Sequence, residues 1–246
     1  GCVLKGVCGK SAFTARNMDL LLFVVRGIAV AADSLRQHNV DPGKETDTFV
    51  TDALFSTITN ANFDDESIMR RIDRGLEMRD ALKARAETEG IALPGADELE
   101  WTGTRADYDA KAATVGVLRE ENEDLRSLKE LVMYGLKGMA AYLEHAMRLG
   151  YDDAEIHAFM QNALALTTVG NLTADELTAL VMKTGEVGVR TMALLDKANT
   201  ATYGNPEATN VNIGVRNRPG ILISGHDLHD LEELLEQTKD TGIDIY

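Results

Sequence analysis

Two cysteines near the amino terminus, Cys2 and Cys8, are the first residues of this 246-residue chain that could hold a metal. Five residues separate them, and Gly1, Gly6 and Gly9 flank them. Thiolates are the usual ligands of iron–sulfur clusters, and glycines allow backbone N–H groups to turn towards the sulfurs. The spacing therefore indicates half of a four-cysteine cluster site. The alternative is a pair of reduced, inert cysteines.

A histidine in the carboxyl-terminal part of the chain, His226, is the other candidate. It follows the apolar run at 220–224, which we interpret as a buried strand, and it precedes an amphipathic helical segment. Open α/β sheets bind ligands outside the carboxyl ends of their strands, and Gly225 leaves room for the backbone at this point. The alternative is a histidine that only caps or packs the turn between strand and helix.

The other four histidines show no ligand-like spacing. His229 lies one turn into the predicted helix and is expected to be solvated, whereas His38, His145 and His157 are interpreted as surface residues. The sequence contains no P-loop, GxGxxG, HExxH, GxSxG or CxxC motif. The candidate metal ligands are therefore Cys2, Cys8 and His226.

The composition is that of a globular protein with an acidic surface. Apolar residues make up 44% and charged residues 26%, which argues against disordered, collagen-like and disulfide-rich classes. Lys and Arg number 25 against 40 Asp and Glu, so the formal charge is −15. Such a charge disfavours nucleic acids and anionic membrane surfaces as partners.

No targeting or membrane-spanning segment is recognisable in the sequence. The most apolar stretch, 20–32, is too short to span a bilayer, and Arg26 interrupts it. We therefore predict a cytoplasmic protein. The chain opens with Gly1 and not Met, and we expect it to be cut at both ends.

Apolar residues recur at intervals of three and four along most of the chain, which predicts a mainly α fold. The expected organisation is a cysteine loop at 1–15, a helical domain of two bundles at 16–210, and the beginning of an α/β domain at 211–246. The helix near 19–37 is apolar nearly all round and is expected to be central. Further helices are predicted at 46–59, 66–88, 106–115, 122–149, 152–166 and 173–199, with a loop at 90–105.

The pattern changes after residue 210. A strand at 220–224, a helix at 227–239 and a strand at 243–246 form a βαβ unit. Such a unit cannot cover both faces of its own sheet. We therefore expect the α/β domain to continue beyond residue 246.

Several segments together resemble the hybrid-cluster proteins, also called prismane proteins or hydroxylamine reductases. The most telling are GCVLKGVCGK at 1–10, FSTITNANFDD at 55–65, GLKGMAAYLEHA at 135–146 and PGILISGHDLHDLEELL at 219–235. The resemblance extends in order over essentially the whole chain. It implies helical bundles followed by Rossmann-like α/β domains.

The resemblance also implies cofactors and site residues. Cys2 and Cys8 match the second cysteine pair of a [4Fe–4S] cubane site, whose C-x2-C half is absent here. His226 matches the histidine ligand of a hybrid iron–sulfur–oxygen cluster. The matching glutamates and further cysteines are expected beyond residue 246.

The implied activity is the two-electron reduction of hydroxylamine to ammonia and water, with nitric oxide reduction as the rival. The implied partners are the small-molecule substrate and a redox protein that donates electrons. The residues alone leave another class open, a non-catalytic acidic helical interaction domain in which Cys2 and Cys8 are incidental.

Overall fold

The structure, a computed structural model, describes residues 5–58, 62–225 and 228–246. Within these ranges the chain forms nine α-helices and one two-stranded parallel sheet, so the prediction of a mainly α fold is confirmed. The helices are α1 (Ala12–Gln37), α2 (Lys44–Ile58), α3 (Asp65–Thr88), α4 (Asp97–Glu100), α5 (Tyr108–Ala112), α6 (Glu123–Arg148), α7 (Ala154–Leu166), α8 (Ala174–Tyr203) and α9 (Leu228–Thr238). A short 3-10 helix, Val117–Arg119, precedes α6.

Helix α1 is central, as its apolar surface predicts. It packs against α2, α3, α4, α5 and α7, and every residue from Leu20 to Val25 is buried. The helix begins seven residues earlier than expected because Ser11 caps it. The Ser11 hydroxyl accepts a hydrogen bond from the Thr14 backbone N–H at 3.0 Å.

Helices α6 and α8 pack closely through small residues. A Cβ on Gly135 would lie 2.6 Å from Cγ2 of Thr184, so only glycine fits at this crossing. Thr173 and Glu176 form the predicted capping box, which satisfies backbone N–H groups at the start of α8. Hence the longest helix of the described chain has both a defined beginning and a close packing partner.

The predicted loop at 90–105 contains the short helix α4, which the sequence analysis missed. Arg79 of α3 holds this segment, because its buried guanidinium donates to the carbonyls of Glu98 at 3.2 Å and Trp101 at 2.7 Å. The same guanidinium also pairs with Asp80 at 2.7 Å. One buried cation thus fixes a segment that has little helical pattern of its own.

The βαβ unit exists but is smaller and more exposed than predicted. Strands β1 (Gly220–Ile221) and β2 (Asp244–Ile245) pair in parallel, and Gly220 aligns with Asp244. The expectation of a buried first strand is wrong for the described chain, since Ile221 is 37% and Leu222 86% exposed. No residue of α9 is buried either. The reason is that no described element covers the faces of this sheet.

Two further points bear on the predicted organisation. None of the helices in the described ranges combines the length and the apolar character that a membrane crossing requires. The boundaries at 15 and 210 and the division into two bundles stay predictions.

Candidate cluster-binding loop and its surroundings

Cys8 lies in a tight turn that leads into α1. The Gly6 N–H donates to the carbonyl of Lys10 at 3.0 Å, and the Gly9 N–H donates to the carbonyl of Gly6 at 3.1 Å. Ser11 then caps the helix. The thiol is free and exposed at the surface of this turn, which is a geometry in which it can serve as a ligand.

The glycines beside Cys8 are required by this geometry. Gly9 has φ of 101°, a left-handed conformation that side chains with a Cβ rarely adopt. A Cβ on Gly6 would lie 3.0 Å from Sγ of Cys8 and 2.9 Å from Cβ of Lys10. The sequence analysis expected glycines to let backbone N–H groups turn towards the sulfurs, but the N–H groups of Gly6 and Gly9 donate to backbone carbonyls.

Cys2 and His226, the two other predicted ligands, lie outside the described residues. The structure therefore gives no distance between the sulfurs of Cys2 and Cys8, and none from either sulfur to His226. All three assignments stay predictions.

The residues on either side of His226 are described. Ile223, before it, donates its backbone N–H to the carbonyl of Tyr246 at 2.8 Å, so pairing with the second strand continues past β1. Gly225 has φ of 65°, and α9 begins at Leu228. The strand before this position and the helix after it have the order that the sequence analysis predicted.

His229 is half-buried and not fully solvated, which corrects the prediction. Its Nδ1 lies 3.7 Å from the Glu232 carboxylate one turn along α9. It faces a cavity of about 300 Å³ between α6, α8 and α9, which His145 and Arg148 also line. His145 is half-buried as well, and its ring packs edge-on against Phe55, with centroids 5.6 Å apart.

His157 is buried, so its assignment to the surface is wrong. Its Nε2 lies 2.7 Å from the Asp152 carboxylate and its Nδ1 lies 3.4 Å from the Thr51 hydroxyl. The ring connects α7 to α2 across the core, where both of its nitrogens have polar neighbours. His38 is exposed, as predicted, and its Nδ1 lies 2.8 Å from the carbonyl of Ser34.

Charged side chains lie beneath the cysteine loop, and the sequence analysis missed them. Lys10 is buried, and its charge adds to the burial that lowers the pKa of Lys137 on α6. Burial also raises the pKa of Asp19 on α1 to about 6, although Lys137 opposes this shift. Asp19 and Arg26 are the charges in an otherwise apolar stretch, seven residues apart on one helix face, and this spacing was the available signal.

The residues of this chain do not by themselves complete an iron–sulfur site. No three histidine, cysteine or acidic side chains of the described ranges come together as a metal-binding group. The whole chain has two cysteines, whereas a cubane cluster takes four thiolates. Cys8 is in a suitable turn, but further ligands are needed to hold a cluster.

Comparison with known proteins gives a family for the whole chain. Residues 1–246 match the model of the Prismane/CO dehydrogenase family. The match includes the cysteine loop, all the helices and the βαβ unit, so no segment of the chain falls outside it.

Three similar proteins from different genera are all named hydroxylamine reductase. A hydroxylamine reductase of Porphyromonas gingivalis strain W83 is 57% identical over 247 residues, and one of Bacteroides thetaiotaomicron is 58% identical over 246. A hydroxylamine reductase of Clostridium botulinum strain Kyoto is 51% identical over 272 residues. Each alignment includes all of this chain but 45%, 44% and 48%, respectively, of the relative. The chain thus spans less than half the length of these relatives.

Proposed function

Because this chain belongs to the Prismane/CO dehydrogenase family, we propose that it forms part of an iron–sulfur oxidoreductase that reduces hydroxylamine. The observation that carries the proposal is the identity of 57–58% to hydroxylamine reductases of two genera along the entire chain. Identity at this level, continued through the cysteine loop, makes a similar use of that loop the simplest interpretation.

In this proposal the chain supplies part of two metal sites. Cys2 and Cys8 are thiolate ligands of a [4Fe–4S] cluster, and His226 is an imidazole ligand of the hybrid iron–sulfur–oxygen cluster. The described geometry supports the role of Cys8, whose thiol is exposed in a turn that Gly6 and Gly9 shape. The remaining ligands would come from the part of the relatives that this chain does not span.

The clusters would supply electrons to the substrate, and the protein would set their ligand geometry, their potential and the access of solvent. The reaction consumes two electrons and two protons, converting hydroxylamine to ammonia and water. A redox protein would deliver the electrons. Nitric oxide, reduced to nitrous oxide, is the rival substrate.

A non-catalytic interaction domain is the second functional class. The acidic charge of −15 is compatible with it, but no observation favours it over the oxidoreductase. In that class the cysteine loop has no function, and its substitution has no effect on iron content or turnover.

The test uses a protein of the relatives' full length that carries this chain. Cys8→Ser replaces the thiolate, and we expect iron content to fall and hydroxylamine-dependent oxidation of a reduced viologen dye to be lost. Val7→Ser is the matched control, because it introduces the same serine at the adjacent, 92% exposed position of the same loop.

The control should keep both its iron and its turnover. Equal iron and equal turnover in the Cys8→Ser protein would overturn the ligand assignment. Ammonia formation should accompany dye oxidation with hydroxylamine. An iron-loaded protein that oxidises the dye with nitric oxide alone would identify the rival substrate and refute hydroxylamine reduction.

A further inference from the structure

A charged cavity lies between α1, the segment before α6, and the loop that joins α7 to α8. Its volume is about 200 Å³, and residues from five separate segments line it. Four of the lining side chains are basic, namely Arg26, Arg119, Arg126 and Lys129. No described residue of the cysteine loop lines the cavity, and the proposed function assigns it no role.

Two of these basic side chains already have carboxylate partners. Arg119 contacts Glu98 at 2.6 Å, and the Glu98 side chain is nearly inaccessible to solvent. Lys129 contacts Glu120 at 2.8 Å. Both charges are therefore neutralised locally, and neither needs a ligand.

Arg26 differs from them. Its Nε is buried and has no hydrogen-bond partner among the described residues, and no described carboxylate lies within 4.0 Å of its guanidinium. Burial lowers the pKa of this arginine, while Glu130 and Glu98 act on it from longer range. The Nη groups of Arg26 are not sealed in this way, and Arg26 lines the cavity, so these N–H donors are open to an acceptor there.

Arg126 adds a second cation to the same wall. Its Nη1 donates to the backbone carbonyl of Glu120 at 3.0 Å, and no described carboxylate forms an ion pair with it. The hydroxyls of Thr167 and Thr168 donate to carbonyls within α7, so neither has a proton left for a ligand. Recognition of an acceptor therefore depends on the two guanidinium groups.

The acidic residues of the cavity oppose an anionic ligand. Asp19 and Glu130 line it without described ion-pair partners, and the charge of Lys137 on α6 acts on both of them. Burial raises the pKa of Asp19 to about 6, and the negative charge of Glu130 on α6 raises it further. The positive charges of Lys137 on α6 and Arg26 on α1 lower it. A proton on Asp19 removes one of the negative charges that oppose an anion in the cavity.

We infer that this cavity binds a small oxyanion of the carboxylate type, held by the Arg26 guanidinium and opposed by the Asp19 carboxylate. A planar carboxylate can accept two parallel N–H bonds from one guanidinium, and the Nη groups of Arg26 have no acceptor among the described residues. A small cation would face the Arg26 guanidinium, which has no described carboxylate partner.

The probe is [¹³C]formate, titrated against the full 246-residue chain and followed by broadening of its NMR line. We expect saturable binding to the wild-type protein and at least about tenfold weaker binding to Arg26→Met, which keeps an unbranched apolar stem and removes the guanidinium and its charge. Arg70→Met is the matched control, because Arg70 is 59% exposed and pairs with residues outside the cavity. Its binding should equal that of the wild type.

The proton supplies a second, independent readout. Formate should bind more tightly as the pH falls through about 6, the pKa of Asp19, since the ionised carboxylate opposes the anion. Asp19→Asn should bind formate with little dependence on pH in this range. It also keeps the test decisive if Arg26→Met fails to fold.

Several results would overturn the inference. They are the absence of saturable formate binding, equal binding by Arg26→Met and wild type, an unchanged pH profile in Asp19→Asn, and tighter binding of methylammonium than of formate. None of these measurements uses turnover or iron. Failure here is therefore distinguishable from failure of the proposed reductase activity.

Discussion

The guanidinium of Arg36 at the end of α1 donates to the carboxylate of Asp47 in the first turn of α2, with Nη2 and Oδ1 2.6 Å apart. Gln161 of α7 completes a triangle, since its Nε2 donates to the same Oδ1 at 2.6 Å and its Oε1 accepts from Nε of Arg36 at 2.9 Å. The three side chains connect three helices through polar contacts that are largely shielded from water.

Replacing Asp47 should destabilise the protein strongly. Asp47→Ala leaves the Arg36 guanidinium and the Gln161 amide without their common acceptor, and we expect the free energy of unfolding to fall by about 3 kcal/mol. Glu45→Ala is the matched control, because Glu45 is an acid in the same helical turn whose ion pair with Arg74 is exposed. It should cost less than about 1 kcal/mol. Urea unfolding measures both, and equal losses would contradict the prediction.

Replacing each of two helical glycines by alanine should change the free energy of unfolding in opposite directions. A Cβ on Gly27 of α1 would lie 2.2 Å from the backbone oxygen of Glu98, so Gly27→Ala must displace α4 and should cost about 3 kcal/mol. A Cβ on Gly138 of α6 meets nothing within 4 Å, and Gly138→Ala should stabilise by roughly 0.5–1 kcal/mol. Thermal unfolding of the two variants measures the contrast. A stable Gly27→Ala protein would show that α4 can move away from α1.

The sequence predicts those elements that local pattern determines. The bounds of α2, α3 and α8 agree with prediction within a few residues, because apolar periodicity and the caps at Asp64 and Thr173 are local signals. Helix α4 could not be predicted in this way. Its carbonyls are held by Arg79, some twenty residues earlier in the chain, and such a long-range contact leaves no periodic pattern.

The same limit applies to the residues with possible chemistry. His157 looks like a surface histidine because its partners, Thr51 and Asp152, become neighbours only when α7 packs against α2. The cavity around Arg26 likewise brings together segments from 19 to 170. Cys8 could be proposed from the sequence because its glycine neighbours lie within two residues of it, and its role as a ligand stays a prediction.

Asp19 should make stability depend on pH. Its pKa in the folded protein is about 6, raised by burial from 3.8, so the folded state binds a proton more tightly than the unfolded state. The contribution of Asp19 to the free energy of unfolding is therefore most favourable below pH 3.8. It falls as the pH rises towards 6. Asp19→Asn removes this cost, and we expect it to stabilise the protein by up to about 3 kcal/mol near neutral pH.

The gain should shrink as the unfolding is repeated at pH values closer to 4, where Asp19 of the wild type is protonated in the folded state. Asp109→Asn is the control, because it removes an exposed carboxylate of α5 that pairs with Arg16 of α1, the helix that carries Asp19. It should change stability by less than about 1 kcal/mol at either pH. A gain from Asp19→Asn that is equal at both pH values would refute the elevated pKa.

The last prediction concerns His226, in a protein of the relatives' full length. His226→Ala should damage the hybrid cluster and abolish hydroxylamine reduction, because imidazole can donate a nitrogen lone pair to iron and alanine cannot. In the sequence, His226 follows strand β1 and precedes α9, and α/β folds bind ligands at the carboxyl ends of parallel strands. The [4Fe–4S] cluster should survive, since its proposed thiolates Cys2 and Cys8 are more than 200 positions away in sequence.

His229→Ala is the control, three positions further along and within α9. Its ring is half-buried and lies near Glu232, so a small loss of stability is expected, but both clusters and turnover should be retained. Iron content, electron paramagnetic resonance of each cluster and ammonia formation are measured on both variants. A normal hybrid-cluster signal with full turnover in His226→Ala would show that this histidine is not a ligand. Loss of both in His229→Ala alone would assign the ligand to the neighbouring histidine, because α9 would then direct His229 towards the iron.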